Sequence, residues 1–290
     1  SIRFGNWFSI AKKLIPQTSV FELIKPYRSK NIKLLEFWSR VRNMEDNIKE
    51  IIVRQNYSSN LDSSLFNRTD EDEIILCLNY DGLYGINNIN RFLQESNPNT
   101  AFEWGIQHYK IGDPILFNET ERFAPVIYNN MKGKINDIVI YRQDGVEVWI
   151  QFDIELEKAI SKDEAEYCGV NLIKNTHEGN SIIRFYVRKN NNVDDDTEDS
   201  DSLTIVPFQI SYAVSIHKAQ GLEYNSVKIV ITDEIEEMIT HNIFYTAITR
   251  AKEKLKIYWT PEVEEKVLSS IKPMDIQKDV GLLKLYLDKK

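Results

Sequence analysis

The last third of the chain alternates between strand and helix patterns, and this alternation limits the fold more than any other feature of the sequence. The patterns after residue 203 are three apolar runs typical of strands and one helical run, in chain order 206–213, 227–232, 239–250 and 255–259. Pro261 favours a further helix start, with Thr260 as its N-cap. Strands that alternate with helices form a parallel sheet with helices on its faces. The sequence therefore predicts an α/β domain.

The first hundred residues carry compatible patterns. Leu34, Phe37, Trp38 and Val41 fall at helical spacing, which predicts an amphipathic helix over 30–43. The remaining patterns predict strands at 19–24 and 74–78 and a helix at 86–94.

The middle of the chain has a different texture. Short β-rich runs separated by turn signals predict a small barrel or sandwich, with strands at 114–117, 135–142, 146–154 and 182–188. Residues 190–202 are polar and acidic, which predicts a mobile loop. We therefore expect a β insert within an interrupted α/β domain.

Composition limits the function classes. The 290 residues carry a net charge of −8, so any contact with nucleic acid needs local positive patches. The two cysteines form no CxxC pair, which predicts neither a zinc site nor a disulfide framework and suits a reducing cytoplasm. The sequence has no signal peptide and no apolar run long enough for a bilayer, and its start at Ser1 suggests a piece of a longer protein.

The segment 214–227 reads VSIHKAQGLEYNSV and combines small polar, basic and glycine residues after a predicted strand. A strand, a tight turn and a helix start would place donors at a sheet edge, where phosphate-bearing ligands dock. Ser215, His217 and Lys218 can donate to phosphates, Gly221 permits a left-handed backbone, and Glu223 can accept from ribose hydroxyls. An ordinary solvated loop explains the composition equally well.

The segment 245–251 reads YTAITRA, and its arginine, Arg250, falls at the end of a helical pattern. Ala247 and Ala251 would let a helix pack tightly, so that Arg250 projects from its end. A guanidinium suits the charge that builds up in phosphoryl transfer. A helix-terminal arginine that satisfies the helix dipole is the simpler alternative for this residue alone.

Together the two segments resemble motifs V and VI of superfamily 1 helicases, in the RecD-like branch that includes the exodeoxyribonuclease V alpha subunit. The first stands here as SYAVSIHKAQGLEY, with Ser215 where the family has threonine and Ala219 where it has serine. The TRA that ends motif VI is present as Thr249-Arg250-Ala251.

Further patches between about residues 20 and 260 agree with the same family. Pro26-Tyr27-Arg28-Ser29 is similar to motif IV, and residues 85–98, which include Asn90, resemble the G…LN..LQ..NP segment. The Gly112-Asp113 pair resembles the start of the family's inserted barrel. Asn130 stands where the family has glycine in a turn, and asparagine tolerates positive φ.

The resemblance implies the second RecA-like motor domain, a P-loop NTPase fold without its own P-loop, over residues 1–111 and 204–290. It implies a Src-homology-3-type barrel over 112–203. No G-x-x-x-x-G-K-[ST] occurs in the sequence, so ATP and Mg²⁺ are expected mainly on an N-terminal RecA-like domain outside this chain. We therefore expect the chain alone to lack ATPase activity.

The resemblance also implies residue roles. Arg28 and Arg250 are the catalytic candidates, and they also bind nucleotide together with Gln220, Gly221 and Glu223. The candidates for binding single-stranded DNA are Ser215, His217, Lys218 and Asn90. It further implies 5′-to-3′ movement on DNA and a possible nuclease partner, with no membrane partner and no metal ligand in this chain. The alternative is a non-catalytic nucleic-acid or protein interaction module in a nuclease or defence complex.

Other residues invite functional interpretation. Asp233-Glu234 follows motif V and is out of order for a Walker B pair, which favours a surface loop. His108, His177 and His241 lack metal-ligand spacing, which favours structural or surface roles. Trp38 and Trp259 fit core positions, whereas base stacking stays open for Trp104 and Trp149. Lys132 and Lys134 are candidates for weak phosphate contacts.

Overall fold

The computed structural model describes residues 7–21, 27–118, 120–189, 203–233, 239–271, 280–281 and 283–285. The helices are α1 Trp7–Leu14, α2 Ile32–Arg42, α3 Ile48–Arg54, α4 Ile86–Glu95, α5 Lys162–Tyr167, α6 His241–Ile248 and α7 Pro261–Ser270. The strands are β1 Ser58–Ser59, β2 Glu73–Cys77, β3 Ala101–Trp104, β4 Gln107–Lys110, β5 Pro114–Phe117, β6 Lys132–Gln143, β7 Val146–Leu156, β8 Asn171–Asn175, β9 Ser181–Arg188, β10 Phe208–Ile210, β11 Ala213–Ser215, β12 Tyr224–Val230 and β13 Ala251–Tyr258.

The chain divides into two compact units. The first combines residues 1–76 with 223–290, and the second holds residues 77–222. Within the first unit a parallel sheet has the strand order β1-β13-β12-β2, in which Val227 lies opposite Ile74 and Leu255. The predicted α/β class is confirmed.

The helices of the first unit cover this sheet with the apolar faces that their sequences predict. Helix α2 begins after Asn31, whose side chain accepts from the Lys33 backbone N–H, and it buries the four residues predicted from its spacing. Phe37 meets Phe244 of α6 edge to face, and Phe244 stacks on Trp259. The predicted core roles of Trp38 and Trp259 are therefore confirmed. Helix α7 begins at Pro261 with Thr260 as its cap, also as predicted.

The sheet of the first unit buries one ion pair. Lys228 Nζ lies 2.9 Å from Glu73 Oε1, and both side chains are almost fully buried. The ammonium also donates to the carbonyls of Leu65 and Asn67, while the carboxylate accepts from Ser226. Additional hydrogen bonds of this kind offset the desolvation of a buried pair.

The second unit contains a six-stranded antiparallel sheet in the order β10-β5-β6-β7-β9-β8, and β3 pairs with β4 as a separate hairpin. Its core is rich in aromatic rings, in chain order Tyr109, Phe117, Phe123, Phe152, Phe185 and Phe208. Each strand predicted between 114 and 188 is present, and β8 is an addition. Among the described strands the pairing leaves β10 and β8 at the edges, so no closed barrel forms there. The domain boundaries at 112 and 203 stay a prediction.

One predicted element differs from the structure, and two others lie partly or wholly outside the described residues. Residues 206–213 form two strands instead of one, and β10 pairs with β5 of the antiparallel sheet, so this sheet extends past residue 203. Residues 17–19 form a 3-10 turn that overlaps the first residue of the predicted strand at 19–24. Residues 20 and 21 are not in a strand, and the last three residues of this prediction lie outside the described part, as do 190–202. No helix in the described ranges is both long enough and apolar enough to span a bilayer.

Candidate functional site

Residues 28–31 lie along the chain segment 249–253 of the first unit. Arg28 Nη1 donates to the Thr249 carbonyl at 3.0 Å, across 221 positions of sequence. Ser29 Oγ donates to the Lys252 carbonyl, and Asn31 Nδ2 donates to the Glu253 carbonyl at 2.9 Å. These three bonds bring the Tyr-Arg-Ser and Thr-Arg-Ala motifs together.

Arg250 lies in a turn between α6 and β13, so the prediction that it belongs to the helix is wrong by two residues. Its backbone N–H still donates to the Ala247 carbonyl, and its side chain is only 6% exposed. The guanidinium donates from Nε to the Thr246 carbonyl at 2.9 Å and from Nη2 to Thr249 Oγ1 at 3.2 Å. Ala251 begins β13 and does not lie on a helix. Arg250 is thus held against the end of α6 and does not project from it.

Glu223 is the carboxylate of this cluster. Its Oε2 lies 3.3 Å from Arg28 Nε, with both side chains partly exposed. The next residue, Tyr224, donates its backbone N–H to the Arg250 carbonyl at 2.9 Å, which fixes the start of β12 beside the turn. Thr249 is bonded to both arginines, to Arg28 through its carbonyl and to Arg250 through its hydroxyl.

The charges of the cluster do not cancel. Burial, and after it the positive charge of Arg28, lowers the pKa of Arg250 to about 10, while Glu223 acts in the opposite direction. Two guanidinium groups and one carboxylate leave an excess positive charge. The described residues include no group of three side chains suited to holding a metal ion. The arrangement therefore favours an anionic ligand.

A pocket of about 500 Å³ opens at this cluster. Its lining residues are Tyr27, Arg28, Trp38, Glu223, Tyr245 and Thr249. Tyr27 is 83% exposed, whereas Trp38 is buried and donates its indole N–H to the Ile248 carbonyl at 3.0 Å. Arg250 bonds to the lining residue Thr249 but is not itself among the lining residues. Tyr245 and Trp38 also line the pocket, which we did not predict for either residue. Tyr245 lies in the segment 245–251 that resembles motif VI, and Trp38 lies in the predicted helix at 30–43.

The predicted DNA-binding turn lies in the second unit and differs from the expected strand–turn–helix. Residues 216–221 form consecutive turns after β11, and no helix follows before β12. Ser215 is buried, and its hydroxyl accepts from the Lys218 backbone N–H at 3.1 Å, so it shapes the turn. Lys218 Nζ donates to Gln209 Oε1 at 2.6 Å. The argument from a helix N-terminus is therefore wrong for this segment.

Three other positions of the turn face solvent. His217, Gln220 and Gly221 are exposed. Gly221 has φ +91°, as its predicted left-handed backbone requires, but an added Cβ would have no neighbour within 4 Å. The glycine is needed for its conformation and not for a close approach within the chain.

Asn90 has structural partners. Its Nδ2 donates to the Ala213 carbonyl at 2.9 Å, and its Oδ1 accepts from the Ala213 backbone N–H at 2.8 Å. The side-chain amide thus pairs with β11 as a neighbouring backbone would. This pairing gives Asn90 a role in joining α4 to β11, and we leave it out of the DNA-binding set.

The carboxylate of Asp113, in the Gly-Asp motif, is hydrogen-bonded to residues of the LQ..NP motif. Its carboxylate is fully buried and accepts four hydrogen bonds, from Gln94 Nε2, Asn97 Nδ2, Tyr212 OH and the Lys110 backbone N–H, at 2.5, 2.8, 2.8 and 2.9 Å. The LQ..NP and Gly-Asp patches therefore form one buried polar hub within the second unit.

The other candidate residues are mostly structural. His241 Nε2 lies 2.8 Å from the Val41 carbonyl, which confirms its structural role. Trp104 is buried, and Lys132 pairs with Glu157. Asp233 lies in an exposed turn, while Glu234 falls outside the described residues. Asn130 has φ +68°, as predicted.

Comparisons with known proteins agree with the motifs. Residues 211–258 match the UvrD-like helicase C-terminal domain. An uncharacterized protein of Methanocaldococcus jannaschii is 24% identical over 77% of this chain and 17% of its own length. The RecBCD enzyme subunit RecD of Buchnera aphidicola subsp. Schizaphis graminum is 24% identical over 78% of this chain and 29% of its own length. The crystal structure of Bacteroides Pif1 bound to ssDNA covers 93% of this chain and 57% of that chain, with 13% identity and a TM-score of 0.49.

The chain therefore spans less than a third of the two curated relatives described above. The matches support its relation to the C-terminal half of superfamily 1 helicases of the RecD-like branch.

Proposed function

We propose that the complete protein is an ATP-dependent DNA helicase or translocase, and that this chain supplies its C-terminal motor half with motifs IV, V and VI. The observation that carries the proposal is the cluster of Arg28, Glu223 and Arg250 beside one pocket. The motif IV-like and VI-like segments, far apart in sequence, meet there through hydrogen bonds from side chains to backbone carbonyls.

The cluster fits the charge of a nucleoside triphosphate. Two cations near one carboxylate favour an added anion, and the burial of Arg250 strengthens its interaction with that anion. ATP, with Mg²⁺, would supply the phosphoryl group for hydrolysis and is expected mainly on an N-terminal RecA-like domain. Arg28 and Arg250 would donate to its phosphate oxygens, because a guanidinium offers several donors in a fixed plane.

The present contacts define what Arg250 must do to reach a phosphate. Its guanidinium now donates to Thr246 and Thr249, and a phosphate would join or replace these acceptors. Arg28 needs a smaller change, since it already lines the pocket. Tyr27, mostly exposed at the same pocket, offers an aromatic surface for a base. Glu223 holds Arg28 in place while no nucleotide is bound.

The turn at 216–221 is the proposed nucleic-acid contact. Ser215 shapes the turn, His217 and Gln220 are exposed on it, and Lys218 can exchange Gln209 for a phosphate. Gly221 and Glu223 are separated by one residue, so the proposed nucleic-acid contact and the nucleotide cluster are neighbours in sequence. Movement from 5′ to 3′ and a nuclease partner are proposed from the family alone.

Hydrolysis by the complete protein tests the arginine roles. Arg250→Ala should lower DNA-stimulated ATP hydrolysis by about 10³-fold or more, and Arg28→Ala should also lower it strongly. Arg54→Ala is the matched control, because Arg54 pairs with Glu36 away from the pocket in the same unit. Near wild-type turnover by Arg250→Ala would rule out its proposed role.

Binding of single-stranded DNA separates this proposal from the non-catalytic protein-interaction alternative. Affinity should fall steeply as salt rises, and Lys218→Met should weaken binding and lower the salt slope by about one unit. Absence of binding by the complete protein would favour the interaction module.

A further inference from the structure

The pocket of the first unit has aromatic lining residues on two helices, Trp38 on α2 and Tyr245 on α6. Each helix donates a side-chain hydrogen bond to a backbone carbonyl of the other. Trp38 Nε1 donates to the Ile248 carbonyl at 3.0 Å, and His241 Nε2 lies 2.8 Å from the Val41 carbonyl. A carbonyl oxygen can only accept, so the imidazole carries a proton on Nε2. Because α6 begins at His241 and ends at Ile248, these two bonds hold both of its ends to α2.

The imidazole of His241 also contacts the pocket-lining ring of Tyr245. The two residues are four positions apart, so their side chains lie on the same face of α6. Their ring centroids are 6.2 Å apart and their planes differ by 22°, which is a stacked arrangement. The start of the helix is fixed by Thr240, whose hydroxyl accepts from the Ile243 backbone N–H at 3.4 Å. His241 therefore joins the Tyr245 ring to the backbone of α2.

Capping of α2 is a simpler role for His241, but it does not account for the arrangement. Val41 lies in the last turn of α2, where carbonyls have no donor in a following turn. This carbonyl already accepts from the Met44 backbone N–H at 3.1 Å, so it has a donor without the imidazole. Capping would also require no contact with Tyr245. What His241 adds is the connection between α2 and the lining ring.

We infer that His241 is a positioning residue of the pocket, which holds the Tyr245 ring at its distance from Trp38 and so sets the width of the site for the base of a nucleoside triphosphate. The inference rests on the proposed function, and it adds a residue that lies outside the cationic cluster. Arg28 and Arg250 both bond to the residue that follows the other end of α6. Loss of the imidazole should therefore change binding of the nucleotide and leave the phosphate contacts in place.

Steady-state ATP hydrolysis by the complete protein, at saturating oligothymidylate, separates binding from turnover. His241→Ala should raise the KM for ATP about 5- to 10-fold, because the pocket loses a hydrogen bond and a ring contact behind its wall. The value of kcat should stay within about twofold, since an interaction made equally in the ground state and the transition state changes KM alone. The Kd of the non-hydrolysable analogue AMP-PNP, measured by titration calorimetry, should rise by the same factor as KM.

Matched variants separate the two contacts of the imidazole. His241→Gln keeps a donor for the Val41 carbonyl, and His241→Phe keeps a ring for Tyr245, so each should recover part of the affinity lost in His241→Ala. Asn242→Ala is the control, because Asn242 is the next residue of α6 and is exposed. A double-mutant cycle tests whether His241 acts through the ring. In a Tyr245→Leu background, His241→Ala should change KM by less than about twofold.

The outcomes separate this inference from the proposed function. A wild-type KM in His241→Ala, a fall in kcat beyond about twofold, or the same change of KM in both Tyr245 backgrounds overturns the inference. The proposed function then stands if Arg250→Ala still abolishes hydrolysis. Absence of AMP-PNP binding by the unsubstituted protein overturns both the inference and the nucleotide part of the proposal. If His241→Ala fails to fold, His241→Gln takes its place in each measurement, because it also loses the stacked ring.

Discussion

The substitution Asp113→Asn should strongly destabilise the second unit although it removes almost no volume. Each carboxylate oxygen of Asp113 accepts two hydrogen bonds, Oδ1 from Asn97 and Tyr212 and Oδ2 from Gln94 and Lys110. An amide replaces one oxygen by a donor, so two donors lose their acceptor whichever way the amide turns. Hydrogen bonds to a charged group contribute about 1.5–3 kcal/mol each, which gives a loss of about 3–6 kcal/mol.

Urea denaturation followed by tryptophan fluorescence measures this loss, because Trp104 and Trp149 lie in the same unit. Asp144→Asn is the matched control. Asp144 lies in the exposed β6–β7 turn with φ +50°, which asparagine tolerates, so the change should stay within about 0.5 kcal/mol. A loss below about 1 kcal/mol for Asp113→Asn would refute the hub as a major source of stability.

Two further substitutions follow from the same reasoning. Lys228→Met should lower the free energy of unfolding by about 3–5 kcal/mol, because it leaves Glu73 buried without its cation. Adding Glu73→Gln should recover part of this loss. Equal stabilities of the single and double variants in chemical denaturation would contradict this reasoning. Gly221→Ala should lower the free energy of unfolding by about 1 kcal/mol, measured by thermal denaturation. The cost comes from the φ of +91° alone, since an added Cβ meets no neighbour within 4 Å. An unchanged melting temperature would show that the turn adopts another conformation without strain.

The order of apolar and polar residues predicted those helices and strands whose buried residues recur with the helix or strand period. The spacing of Leu34, Phe37 and Trp38 gave α2, and the apolar run at 114–117 gave β5 with the bounds the structure shows. Positive φ at Asn130 and Gly221 was also predictable, because few residue types adopt it. These features depend on near neighbours in the chain.

Features set by distant partners were not predictable from the sequence. The strand β10 looks like part of the α/β pattern, and only its pairing with β5 places it in the antiparallel sheet. The motif residues Asn90 and Asp113 look like ligand-binding candidates or turn residues, yet their partners Ala213 and Tyr212 lie about a hundred residues away. The sequence likewise identifies Arg250 as part of the Thr-Arg-Ala motif, but it does not predict that the guanidinium turns back and donates to the Thr246 carbonyl.

The central claim is that the pocket between Tyr27, Arg28, Glu223 and Tyr245 takes the nucleotide of a helicase motor. Photolabelling of the complete protein with an azido-substituted ATP, followed by peptide mapping, tests it most directly. The account predicts labelled peptides that contain Tyr27 or Tyr245, with label displaced by unmodified ATP and reduced in Arg28→Ala but not in Arg54→Ala. Displaceable label that never falls on these two peptides, and that Arg28→Ala leaves unchanged, would contradict the account.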